Sequence, residues 1–202
     1  MADYVTASRL LARARAVYDN DANSLAQQAT RGWQTGFASG GRWMLRAMEC
    51  LRGESLPGPS CNLNVLGLAK YGLACVAAAC PVASAIVVRQ PLLIVLAVPA
   101  FYAVEVQMVF LFPLAVSGCR QPFRESRRWT RRAGGTLSVM WVVVQLAVSM
   151  LFGGLAGRGF VRSWCLGCLA VCIWFEKLRI EQTESEPNGV VGTERPQSVI
   201  AR

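Results

Sequence analysis

Histidine is absent from the 202 residues, and acids are few, with 12 Asp and Glu against 21 Lys and Arg. Without an imidazole the chain has no Ser-His-Asp catalysis, no His-ligated haem, no HExxH zinc site and no histidine proton relay. Its aspartates, Asp3, Asp19 and Asp21, all fall near the N-terminus. The apolar part of the chain therefore lacks a carboxylate pair, which excludes an aspartyl dyad or two-carboxylate metal catalysis there. Charged residues make up 16% of the chain, where an ordinary soluble domain has about 25%. The N-terminal region has no apolar run followed by a small-residue cleavage site, so no cleavable leader is expected. Ala2 and a C-terminus without a prenylation Cys leave no lipidation signal.

What is present is apolar: 53% of the residues are hydrophobic and the mean hydropathy is +0.35. Between residues 63 and 175, charges occur only at Lys70, Arg89, Glu105, within the 120–132 cluster, and at Arg158 and Arg162. That distribution predicts an all-α fold, a polytopic helical membrane protein with a four-helix transmembrane bundle. Spans are expected at about 64–88, 91–116, 136–156 and 160–177. The fourth has a short uncharged core, Ser163 to Phe175, which Arg162 and Lys177 lengthen by snorkelling outward. Arg89-Gln90-Pro91 is a tight turn that makes the first two spans antiparallel neighbours.

The flanks differ from this middle. Residues 1–62 read as a cytoplasmic amphipathic helical segment. One helix over 4–19 gathers Ala7, Leu10, Leu11, Ala14, Val17 and Tyr18 on a single face, and a second is expected over about 22–52. Pro57-Gly58-Pro59 is a linker. Residues 178–202 read as a disordered polar tail. Six arginines at 120, 124, 127, 128, 131 and 132 put the loop between spans two and three in the cytoplasm by the positive-inside rule. Both termini then lie on that side, in a bacterial inner or plasma membrane.

Three constellations carry chemistry. Glu105 is the only acid deep in a span, and an intramembrane ionisable group is a functional candidate by default. Helical rise places Glu105 about 21 Å and Lys70 about 27 Å from the shared turn. A Lys70–Glu105 contact is therefore expected, with Gln145 nearby in one intramembrane polar layer. The second constellation is the Arg loop. Arg124, Arg127, Arg128, Arg131 and Arg132 fall on one helix face, suited to anionic lipid headgroups or a protein partner. One loop is too small a basic surface for nucleic acid, so none is expected.

The third is Cys165-Leu166-Gly167-Cys168, with Cys172 a turn further on the same face. Most of the eight cysteines lie in or beside apolar spans, where a thiol acts as a small hydrophobe. A CxxC at a helix end can also exchange disulfides, which makes Cys165 and Cys168 a candidate redox pair. With Trp164, this motif at the outer end of a last helix resembles the vitamin K epoxide reductase family of four-helix membrane proteins. The resemblance implies thiol–disulfide exchange; no cofactor is expected, except a quinone if that redox alternative holds. It covers residues 164–168 and the helix count only. That family relays electrons through loop cysteines, and the Arg89-Gln90-Pro91 turn has none. No metal site is expected, because the three cysteines have no evident fourth ligand.

No complete catalytic set can be assembled. The reading that follows is a non-catalytic membrane scaffold or assembly subunit. It would bind a protein partner, or a second copy, through its N-terminal helices and Arg loop. The alternatives are a thiol oxidoreductase using Cys165 and Cys168, or a small carrier using Glu105.

Overall fold

A computed structural model describes residues 6–20 and 36–185. The described residues are all-α, with no strand. Helix α1 (Ala7–Asn20) precedes α2 (Phe37–Arg52), and α3 (Leu63–Val88) begins the apolar part. A 3₁₀ segment (Pro91–Leu96) leads into α4 (Ala97–Gln107), followed by the short α5 (Leu111–Val116). Then come α6 (Pro122–Arg132), α7 (Gly135–Gly153) with a π turn at Gly154–Arg158, and α8 (Phe160–Ser185). The first part of the expected 22–52 helix, with Leu25, Ala29, Gly32 and Trp33, lies outside the described residues.

Local chemistry sets these boundaries. The Asn62 side chain caps α3 by accepting from the backbone N–H groups of Asn64 and Val65 at 3.0 and 3.4 Å. Arg89 closes the same helix in the left-handed region (φ 56°), a conformation that glycine adopts more cheaply. Prolines break the second apolar run. Pro99 cannot donate to the carbonyl of Val95, and it sits in the first turn of α4, which begins at Ala97 after the 3₁₀ stretch ends at Leu96. Pro113 cannot donate to Val109, and the chain turns over 108–110 before α5.

Three helical stretches are long and apolar enough to cross a membrane: Leu63–Val88, Pro91–Val116 and Gly135–Ala156. The fourth expected span, 160–177, does not reach this standard. Every 18-residue window of α8 carries at least three charges. Its middle is also enclosed by protein, since Leu169, Ala170 and the whole run from Cys172 to Glu176 are buried. A helix apolar on all sides at its centre is enclosed in a core or within a bundle of spans, and α8 is packed by α1, α2 and α7. At Gly167 the approach of α7 is so close that a Cβ would collide with Met150. Helix α8 also continues to Ser185, so residues 178–185 of the expected tail are helical, and 186–202 lie outside the described residues.

The core is densest around residues 108–116, and α1 extends it toward the start of α8 through Leu10, Ala14 and Tyr18. Residues 108–116 are all buried, against Trp43, Met48, Leu63, Trp129, Trp174 and Phe175. Phe110 meets Trp174 edge-on at 5.3 Å, and Trp129 lies 4.7 Å from Phe175. Toward the Arg89 turn, α3 and α4 pack mainly on each other. The outward residues of α3 and of the 3₁₀ segment are bare apolar groups such as Ile86, Val87, Leu92 and Val95.

Candidate functional site

Lys70 and Glu105 meet inside the α3–α4 hairpin, Nζ to Oε1 at 2.7 Å, with both side chains largely buried. The 3₁₀ stretch contributes to this level match. Its rise of about 2.0 Å per residue, against about 1.5 Å in an α-helix, carries Glu105 further from the turn, to about 24 Å. The ammonium also lies 5.2 Å from the Tyr71 ring and 5.8 Å from that of Phe112. Tyr71 is in turn stacked on Phe37 of α2 at 5.3 Å, and Phe37 fills the space above Gly67. Among the described residues, Glu105 Oε2 is the one buried side-chain oxygen or nitrogen without a hydrogen-bond partner.

Gln145 is not part of this cluster. It lines an open groove between α1 and α7 with Trp141, Val148 and Ser149. Spacing along α7 gave its height but not its direction around the bundle. The polar partner that the second span does find in α7 is Thr136, whose hydroxyl accepts from Gln107 at 2.7 Å.

The Arg helix α6 is positioned by the broken second span. Where α4 stops, carbonyls lose their helical donors, and two α6 hydroxyls supply replacements. Ser126 donates to the Gln107 carbonyl at 2.9 Å, and Thr130 to that of Val106 at 3.0 Å. With Trp129 these residues form the buried face. The opposite face presents Arg124, Arg127, Arg128, Arg131 and Arg132 outward. Arg128 pairs with Glu125, and Arg132 lies 5.8 Å from the Trp129 ring.

Cys165 and Cys172 are buried, Cys168 is half-buried, and none of the three is in a disulfide. Among the described residues, no group of three or more His, Cys, Asp or Glu side chains is arranged to hold a metal ion.

Two ion pairs escaped sequence reasoning. Arg52 donates through Nε and Nη2 to Glu176 Oε1 at 2.9 and 2.7 Å, and Arg179 holds the other carboxylate oxygen at 2.8 Å. Arg52 also donates to Ser117 at 3.3 Å, which ties α2, α8 and the end of α5 together. Near the other end of α8, Arg162 donates to Asp19 at 2.7 Å, which fixes the end of α1. The apolar face of α1 (Ala7, Leu10, Ala14, Tyr18) is buried within the molecule. The partners are over a hundred residues apart in sequence, so no local spacing signals either pair.

No family model matches this chain, no curated protein is similar to it, and no solved structure matches it.

Proposed function

We propose that this protein is a non-catalytic integral-membrane assembly subunit that holds an acidic segment of a protein partner on the basic face of α6. The supporting observation is how α6 is mounted. Ser126, Trp129 and Thr130 bind it to the bundle, while its five arginines face away from it. In this reading α8 completes a four-span bundle with α3, the second span and α7. The Arg-rich end, with α2 and the last turns of α8, is cytoplasmic by the positive-inside rule, in a bacterial inner or plasma membrane, while α1 ends at the opposite end of α8 beside Arg162. Anionic headgroups beside α6 add to its anchoring. Of the N-terminal helices, α1 uses its apolar face within the molecule, so α6 carries the partner contact.

The test is co-purification from membranes in mild detergent, comparing the native chain with Arg127→Gln/Arg131→Gln. The expected result is a stoichiometric partner that is released by salt and lost in the variant. A partner held equally by both forms, or a chain that purifies alone, refutes the reading.

A second reading, a small carrier using Glu105, draws support from the unpartnered Oε2. A thiol–disulfide reaction of Cys165 and Cys168 with a quinone has less support. Cys165 is buried, and no cysteine stands at the Arg89-Gln90 turn to relay electrons.

A further inference from the structure

Helix α1 lies along α7 and α8, beside a stretch of α7 that is long and apolar enough to cross a membrane. Two grooves run between them. The larger, about 590 Å³, has mostly apolar walls, formed by Leu11, Trp141, Val144 and Val148, with Gln145 at its side. The smaller, about 200 Å³, is bordered by Arg15, Arg162, Ser149 and Ser163. They are continuous, because Leu11, Arg15 and Ser149 line both. The polar groove sits toward Gly153, near the end of the span, and the apolar one extends deeper along α7 to Trp141.

That order of polar end and apolar depth is the anatomy of a membrane lipid. Among the described residues, the charges at the polar end are two guanidiniums and one carboxylate. Arg162 is engaged by Asp19 at 2.7 Å, which leaves the Arg15 guanidinium as one net positive charge. A cation beside an apolar span is costly unless an anion or water meets it, and a phosphate oxygen is a fitting acceptor for a guanidinium. Two serine hydroxyls at the same place offer further donors. The combined size falls in the range of about 300–1,000 Å³ usual for small-molecule sites.

We propose that these joined grooves are a binding site for one anionic membrane phospholipid. Its phosphate is held by Arg15 with Ser149 and Ser163, and an acyl chain lies along Leu11, Val144, Val148 and Trp141. The site is separate from the Arg face of α6 and does not rest on the role proposed for that face.

The test uses the full chain in neutral detergent, with native mass spectrometry and thermal unfolding as readouts. Phosphatidylglycerol, phosphatidylcholine and inorganic phosphate are the three probes. One phosphatidylglycerol should be retained per chain and should raise the midpoint in a concentration-dependent way, while the other two have little effect. An equal response to phosphatidylcholine, or to inorganic phosphate alone, overturns the proposal. Arg15→Gln changes an exposed side chain and should weaken phosphatidylglycerol retention about tenfold, as expected for loss of one charge-assisted contact. Val148→Trp should block the acyl groove and lower retention with Arg15 intact. Arg127→Gln/Arg131→Gln, on α6, should leave the tightly held lipid in place. If the α6 variant removes it and the two groove variants do not, the assignment is wrong.

Discussion

The two ends of the molecule use apolar residues differently. At the Arg89 turn, α3 and the 3₁₀ segment leading into α4 form a hairpin whose outward side chains are exposed, and Val87 is 81% exposed. At the Arg-rich end the same residue types are enclosed, and Trp174 is 2% exposed. Apolar side chains at the turn are exposed on a stretch long and apolar enough to cross a membrane, so their character counts for more than their shape. Side chains at the Arg-rich end contribute through shape, because helix breaks at 108–110 and the docking of α2, α6 and α8 must fit together. Lys70 and Glu105 lie where these two regimes meet.

The difference can be tested by substitutions read out as unfolding free energy in detergent. Trp174→Ala should cost about 3–5 kcal/mol, the usual range for emptying an aromatic core position. Glu105→Ala should cost a similar amount, about 3–5 kcal/mol, because it strands the buried Lys70 ammonium. The double change Lys70→Met/Glu105→Leu should recover most of that loss; if it does not, the pair does more than neutralise charge. Gly67→Ala should cost about 1–3 kcal/mol, since the new methyl meets the Phe37 ring. At the turn, Arg89→Gly should stabilise by about 0.5–1 kcal/mol by relieving the left-handed backbone. Smallest of all, Val87→Ala should stay within about 0.5 kcal/mol. A large loss there would show that the hairpin is covered by protein, and the contrast between the ends would fall.

Part of this arrangement was legible in the residues. Charge-free runs marked the helices able to cross a membrane, and rise along two antiparallel helices put Lys70 and Glu105 at similar heights. The same counting failed for Gln145, because height along a helix does not say which neighbour a side chain faces. It also failed to separate α8 from a lipid-facing span. Ser163 to Phe175 is as apolar as a span, and only the packing of α1, α2 and α7 around it reveals an enclosed helix. The Arg repeat on α6 was readable at helical spacing. Its seat was not, since the carbonyls that hold Ser126 and Thr130 are freed by a break in another helix.

The sequence by itself determined the helical class, the apolar stretches, the exclusion of imidazole chemistry and the basic face of α6. Each is a property of composition or local period, and the chain carries these whatever its neighbours do. The tertiary structure alone decided the pairing of Arg52 with Glu176, the seat of α1 against α7 and α8, and the grooves that this seat creates. Those features join residues far apart in the chain, and such partners are chosen by helix packing, which no local pattern encodes.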